Sequence, residues 1–204
     1  MTDLLSPAER RRLDDGDDAR FYDRPRFVHH VDDGFRDRLA RLYADRLAPG
    51  DEVLDLMGSW VSHLPDLEFG RVVGHGLNAE ELAANERYDE WFVQDLNADP
   101  GFDFADASFD AVVCAVSVQY LQYPARVFAE VARVLRPGGV CVVSFSNRMF
   151  VQKAVHTWRE RDMDGRADLV CRYVESTGAF EPPEVVREVP ERDPFYAVLA
   201  RRRA

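Results

Sequence analysis

The chain has 204 residues, enough to bury one hydrophobic core, and its 46% hydrophobic content is typical of a folded domain. Its net charge of −11 repels nucleic-acid phosphates, so we do not expect nucleic-acid binding. No apolar run is long enough to cross a bilayer, and the first 20 residues lack the apolar core of a signal peptide, so we expect a cytoplasmic protein without membrane contact.

The first 50 residues contain three kinds of segment. Residues 1–20 are polar and show no apolar periodicity, so we expect a mobile arm. Residues 21–33 are aromatic and basic, and Pro25 would stop an early helix, which favours a lid over a packed core segment. Apolar residues recur at helical spacing over residues 35–47. We therefore divide the chain into an arm (1–20), a lid and helix (21–50) and a main domain (51–204).

The main domain alternates short apolar runs with helix-like segments. Such alternation predicts an α/β fold, with a parallel sheet that carries helices on both faces. The predicted strands are residues 53–56, 71–74, 91–95, 109–116 and 140–146. The predicted helices are residues 60–67, 79–85, 125–135 and 166–177.

The end of the chain predicts two strands of a different kind. Residues 185–189 and 195–200 are joined by a link too short for parallel neighbours, which indicates an antiparallel finish to the sheet. Before them, Phe150, Ala154 and Trp158 are spaced four apart, which predicts an amphipathic helix within residues 149–164. A contact of Trp158 or His156 with a substrate is the less favoured interpretation of this segment.

Two residue types are informative because they are rare. Cys114, Cys141 and Cys171 are odd in number and widely spaced, so we expect free thiols in a reducing compartment and no metal site. Lys153 is the only lysine. An acidic surface with Arg in place of Lys is what we expect of a salt-adapted (halophilic) protein, although high genomic GC content also favours Arg over Lys.

Five motifs lie between residues 51 and 147: DEVLDLMGSW, GRVVGHGLNAEEL, WFVQDLNADP, SFDAVVCAVSVQYL and VARVLRPGGVCVVSFSN. Their order and spacing resemble the class I S-adenosylmethionine-dependent methyltransferases, in the ubiquinone and menaquinone ("type 11") group. The resemblance implies a Rossmann-like, seven-stranded, mostly parallel sheet with an antiparallel C-terminal strand. It also implies S-adenosylmethionine as cofactor and a small-molecule methyl acceptor.

In the family that this chain resembles, the loop after the first strand binds the cofactor, as expected at the carboxyl end of a parallel strand. The resemblance places Asp55, Met57, Gly58 and Ser59 there. Met57 and Trp60 are bulky where the family usually has glycine and a small residue.

The end of the second strand departs further from the family. The acid that usually binds the ribose hydroxyls falls on Gly76, with Leu77 beside it. Asn78 either replaces the acid as a neutral hydrogen-bonding group or caps the following helix. We expect His75 to be exposed rather than catalytic.

The third and fourth strand ends match the family better. Asp95 and Leu96 stand where an acid and a backbone amide bind the adenine. Val116 and Gln119 are expected to contact the cofactor, and Tyr120 to face the methyl group or the substrate. A core role for Tyr120 is the alternative.

The lid segment supplies the remaining candidates. Tyr22 and His30 are candidate general bases, needed only if the acceptor loses a proton. Arg26 is expected to pair with the carboxylate of the cofactor. The alternative is that the aromatic residues pack and the histidines face solvent.

Three functions are compatible with such a scaffold. We favour methyl transfer to a small molecule by a monomer or homodimer, since no extra domain offers room for a macromolecule. The second is a non-catalytic binding or regulatory protein with an altered or lost cofactor site, which Met57 and Gly76 support. A nucleotide-dependent oxidoreductase is weakest, because no G-x-G-x-x-G follows the first strand.

Overall fold

A seven-stranded sheet forms the centre of the molecule in a computed structural model that describes residues 3–189 and 191–204. The strands are β1 Glu52–Leu56, β2 Arg71–Gly76, β3 Glu90–Val93, β4 Phe109–Ala115, β5 Leu135–Phe145, β6 Glu184–Glu188 and β7 Phe195–Arg201. Their order is β3-β2-β1-β4-β5-β7-β6, with β1 to β5 parallel and β7 antiparallel to both of its neighbours. The predicted mostly parallel sheet with an antiparallel C-terminal strand is confirmed.

Helices cover both faces of the sheet and bury it. They are α1 Asp18–Phe21, α2 Asp33–Arg46, α3 Ala79–Ala83, α4 Pro124–Val134, α5 His156–Arg159 and α6 Met163–Glu175. Phe35 and Tyr43 of α2 belong to one buried cluster with Val113 of β4, and buried residues of α4 and α6 belong to the other with Val112. Because β4 is buried on both sides, it reads as a continuous apolar run. The described residues include no helix long and apolar enough to cross a membrane.

The helix predicted for residues 60–67 is wrong. Residues 58–70 form an irregular loop instead. His63 has a left-handed φ of 57°, and Pro65 has no N–H to donate within a helix. The chain therefore leaves β1 as an open loop, without the helix that normally follows such a strand.

The single helix predicted within residues 149–164 is also wrong, although Ala154 and Trp158 of its predicted apolar face are buried and Phe150 packs against the core. Only α5 is helical before Asp162. The N–H groups of Val155 and His156 bond to the carbonyl oxygens of Gln119 and Arg11, so tertiary bonds replace helical ones. Trp158 is 1% exposed and packs on Phe145, so it lies in the core and away from a substrate.

The N-terminal segment, predicted to be a mobile arm, is docked on the domain from residue 3 onward. Leu5 is 1% exposed within the larger hydrophobic cluster. The N–H groups of Leu13 and Asp14 both donate to the carbonyl oxygen of Gln152. This docking carries the chain to the edge of the sheet where the predicted site residues lie.

Candidate functional site

A cavity of about 300 Å³ opens at the carboxyl ends of β1, β2, β3 and β4. This volume lies at the lower end of the range for small-molecule sites, about 300–1,000 Å³. The cavity includes the point between β1 and β4 where strand order reverses. Every site residue predicted from the sequence except Gln119 lines it: Tyr22, Arg26, His30, Asp55, Met57, Gly58, Ser59, Gly76, Leu77, Asn78, Asp95, Leu96, Val116 and Tyr120.

Gln119 lies behind the cavity wall. It is 1% exposed, and its side-chain amide donates to the carbonyl oxygen of Val116 at 2.7 Å. Val116 itself has a left-handed φ of 55°, which is rare for a β-branched residue. Gln119 thus supports the strained end of β4 and does not reach the cavity, so its predicted contact with a ligand is wrong.

The loop after β1 is held by a buried histidine. Met57 adopts a left-handed φ of 55°, and its N–H donates to Nδ1 of His75 at 3.0 Å. Nε2 of His75 donates to the carbonyl oxygen of Gln94 at 2.8 Å, which fixes the neutral tautomer. Burial lowers the His75 pKa to about 4. His75 therefore ties together the ends of β1, β2 and β3, and its predicted exposure is wrong, since it is 1% exposed.

Asp55 lies beneath the same loop. Its carboxylate accepts from the hydroxyl of Tyr88 at 2.9 Å, and burial raises its pKa to about 7. The Tyr88 ring fills the space beside Gly58, where a Cβ would lie 2.3 Å from the Tyr88 hydroxyl oxygen. Packing against Tyr88 therefore requires glycine at position 58.

The end of β2 has no room for an acidic side chain at the aligned position. A Cβ on Gly76 would lie 2.7 Å from the carbonyl oxygen of Gly58. Asn78 two residues later uses its whole amide: Oδ1 accepts from the N–H of Glu81, and Nδ2 donates to the carbonyl oxygens of Tyr22 and Asp23. Of the two alternatives for Asn78, the helix cap is therefore confirmed.

Glu81 is a carboxylate at this end of the cavity that the sequence analysis did not select. It is 8% exposed and lines the cavity beside Leu77. Its oxygens accept from the N–H of Arg26 at 2.6 Å and from the hydroxyl of Ser59. The spacing Asn78-x-x-Glu81 is that of a capping box, which indicates a helix start but not a second role.

Asp95 and Leu96 lie at the end of β3 as predicted. Oδ1 of Asp95 accepts from the N–H of Asn97 at 2.9 Å, which shapes the turn, and Asp95 remains half-buried at the cavity surface. Leu96 is 3% exposed and supplies an apolar floor.

Residues 18–31 form an N-terminal strap along one side of the cavity. It is anchored by buried charges: Asp18 accepts from Arg12 at 2.6 Å and lies 3.0 Å from the ammonium of Lys153. Lys153 is 1% exposed and also bonds the carbonyl oxygen of Gly16 at 2.8 Å. Lys153 also lies 3.1 Å from Asp14, so removing one of these charges leaves its buried partner with fewer compensating charges.

The remaining wall is aromatic. Phe150 packs on Tyr22 and His30, and its N–H donates to the hydroxyl of Tyr120 at 2.8 Å. Burial raises the pKa of Tyr22 and of Tyr120, so both stay protonated. Burial lowers the pKa of His30, so its imidazole is neutral near pH 7 and able to accept a proton.

Comparisons with known proteins identify methyltransferases as similar to this chain. Residues 57–143 match the model of a family described as a methyltransferase domain. A demethylmenaquinone methyltransferase of Renibacterium salmoninarum is 35% identical over 121 residues, which span 55% of this chain. The match covers only half of that relative's length.

Solved structures match the fold at low sequence identity. An S-adenosylmethionine-dependent methyltransferase from Mesorhizobium loti is 18% identical, with a TM-score of 0.56 over 79% of this chain and 96% of its own. Phosphoethanolamine N-methyltransferase 2 of Haemonchus contortus, in complex with S-adenosyl-L-methionine, is 13% identical. Its TM-score is 0.60 over 83% of this chain and 52% of its own.

Proposed function

We propose that this chain is a member of the type 11 group of class I S-adenosylmethionine-dependent methyltransferases and transfers a methyl group from S-adenosylmethionine to a small molecule. The observation that carries the proposal is the cavity at the strand-order reversal, lined by the residues that the family resemblance selected. The acceptor named for the Renibacterium relative, demethylmenaquinone, is likewise a small molecule.

The residues present fit the three parts of the cofactor. Asp95 and Leu96 would hold the adenine, and the loop of Met57, Gly58 and Ser59 would hold the amino-acid end. We assign the ribose hydroxyls to Glu81, because it is a buried carboxylate of the cavity wall in the first turn of the helix after β2, and Gly76 cannot carry one. The acid is thus displaced from the strand end to the first turn of α3.

The reaction needs little covalent chemistry from the protein. When bound, the cofactor supplies an electrophilic methyl group on its sulfonium, so the chain's task is positioning and the exclusion of water. The strap and Phe150 line one side of the cavity and would exclude water there when the cofactor is bound. Neutral His30 would accept a proton from an acceptor that loses one, while Tyr22 and Tyr120 remain hydrogen-bond donors.

The assignment of Glu81 is tested with a pair of ligands that differ only in the ribose. Adenosine should bind more tightly than 2′,3′-dideoxyadenosine, and Glu81→Gln should reduce this preference about tenfold, the equivalent of one charge-assisted hydrogen bond. Glu80→Gln is the matched control, since Glu80 is the exposed neighbour on α3. If Glu81→Gln keeps the full preference for adenosine over 2′,3′-dideoxyadenosine, Glu81 does not bind the ribose hydroxyls.

Turnover separates the enzyme from a non-catalytic relative. The protein is incubated with S-adenosylmethionine and a panel of small carboxylates, phenols and amines, and S-adenosylhomocysteine is measured by mass spectrometry. We expect S-adenosylhomocysteine to accumulate with at least one acceptor class and not without acceptor. Tight binding of the cofactor without any turnover across the panel would instead support a binding or regulatory protein.

A further inference from the structure

We infer that the methyl acceptor of this site carries an anionic group, a carboxylate or a similar oxyanion, which the guanidinium of Arg26 binds. The inference rests on the proposed function, and it concerns the acceptor end of the same cavity. It assigns Arg26 differently from the family resemblance, which predicted a contact with the cofactor's own carboxylate.

The charge balance of the cavity wall singles out Arg26. Two other cations of the wall are paired: Lys153 lies 3.0 Å from Asp18, and Arg148 lies 2.7 Å from Asp193. Within residues 3–189 and 191–204, no carboxylate forms an ion pair with Arg26. Its Nη1 atom is buried and, over the same residues, has no hydrogen-bond partner.

A buried cationic donor without a partner is unfavourable, and the missing partner is the natural place for a ligand oxygen. At its other end, Nη2 of the guanidinium donates to the carbonyl oxygen of Phe21 at 2.8 Å. That bond leaves the remaining N–H groups of the guanidinium for a ligand, and their fork-like arrangement matches the two oxygens of a carboxylate.

The surroundings of the guanidinium belong to the acceptor side of the cavity. Its carbon lies 4.8, 5.6 and 5.4 Å from the ring centres of Phe21, Tyr22 and Phe150. Phe150 is joined through its N–H to the hydroxyl of Tyr120, at the end of β4. The backbone N–H of Arg26 bonds Glu81, which places the start of the side chain near the β1 loop, while the guanidinium packs among the rings.

The physics of this environment favours an anion with a flat apolar body. Aromatic rings exclude water, and the lower local dielectric strengthens a pair between the guanidinium and an oxyanion. The same rings offer faces and edges on which a planar acceptor packs. Since the chain as a whole carries a net charge of −11, an anion needs such a local cation to be held.

The experiment compares benzoate with benzamide, its neutral analogue of the same shape. Each is titrated into the full chain saturated with S-adenosylhomocysteine, and binding is followed by NMR or calorimetry. We expect benzoate to bind at least ten times more tightly than benzamide. Arg26→Gln should abolish this preference and Arg26→Lys should keep part of it, because the charge remains but the fork is lost.

Arg24→Gln is the matched control, since Arg24 is an exposed arginine of the same strap. It should leave the benzoate preference unchanged. Equal binding of benzoate and benzamide to the wild-type chain would overturn the inference. So would a preference that Arg26→Gln leaves intact.

A second ligand pair separates the acceptor from the cofactor. S-adenosylhomocysteine carries an amino-acid carboxylate, and 5′-methylthioadenosine lacks it. If Arg26→Gln weakens the binding of S-adenosylhomocysteine but not that of 5′-methylthioadenosine, Arg26 binds the cofactor carboxylate and the inference is overturned. If S-adenosylhomocysteine fails to bind the wild-type chain while the benzoate preference is present, the proposed function fails and the anion site stands.

Discussion

Replacing Gly76 with alanine tests the assignment of the β2 end most sharply. The added Cβ would lie 2.7 Å from the carbonyl oxygen of Gly58 and 3.2 Å from Cδ2 of Leu82. The first contact is with backbone, so either β2 or the loop after β1 must move. Overpacking of this kind costs about 1–3 kcal/mol. For a domain of this size each kcal/mol lowers Tm by about 2–4 °C, so we expect a loss of about 2–12 °C.

The assay is thermal unfolding of Gly76→Ala beside Gly101→Ala. A Cβ on Gly101 would meet nothing closer than Oδ1 of Asp99 at 3.5 Å, so this control should change stability by no more than about 0.5 kcal/mol. Because the Gly58 carbonyl lies in the loop that we assign to the cofactor, we expect Gly76→Ala also to weaken the binding of S-adenosylhomocysteine. An unchanged Tm of Gly76→Ala would refute the reasoning. Tighter binding of S-adenosylhomocysteine by Gly76→Asp would also refute it, since an acid would then fit where the structure leaves no space.

Three further predictions follow from single contacts. Asp95→Ala should weaken the binding of S-adenosylhomocysteine about tenfold or more in calorimetry, because one charge-assisted hydrogen bond is lost. Asp103→Ala, at an exposed position, should leave the affinity unchanged. Burial lowers the His75 pKa to about 4, so the unfolded chain takes up a proton before the folded chain does as pH falls from 7 to 5. This difference lowers the free energy of unfolding by about 2 kcal/mol over that range. His75→Gln should remove this pH-dependent loss in denaturant melts. Lys153→Ala removes one of the two buried cations that pair with Asp18, and Arg12 remains. We therefore expect it to destabilise the fold by about 3 kcal/mol in the same melts, the lower end of the cost of breaking a buried ion pair.

Each of these has its own contrary result. Equal weakening by Asp95→Ala and Asp103→Ala would move the adenine elsewhere. Asp55 acts in the opposite direction: its pKa is raised to about 7, so its protonation stabilises the folded chain as pH falls. The informative quantity is therefore the difference in unfolding free energy between the wild type and His75→Gln. Parallel pH profiles of the two proteins would show that His75 is not the acid-sensitive group. A mild effect of Lys153→Ala would show that the strap is not held by its buried charges.

The strands were predictable from the sequence because apolar runs bounded by turns are a local property. The positions of Asp95 and Tyr120 followed from them, since parallel strand ends meet at one edge of the sheet. The failures have tertiary causes. Residues 60–67 show helical spacing, but His63 adopts a left-handed conformation and Pro65 interrupts the pattern.

The two missed site residues also depend on tertiary contacts. His75 is polar in sequence, yet its ring nitrogens satisfy two backbone groups from neighbouring strands. Glu81 matches a capping box, and only the folded chain shows that its carboxylate also reaches Ser59. A polar residue at a strand end is therefore poorly assigned by sequence when its partner is backbone from another element.

The central claim is that the altered loop after β1 and the displaced acid at the end of β2 still form a working cofactor site. Calorimetric titration of the wild-type chain with S-adenosylmethionine and S-adenosylhomocysteine tests it directly. We predict saturable binding of both, with Kd on the order of micromolar. The absence of binding of either ligand at millimolar concentration would contradict the account.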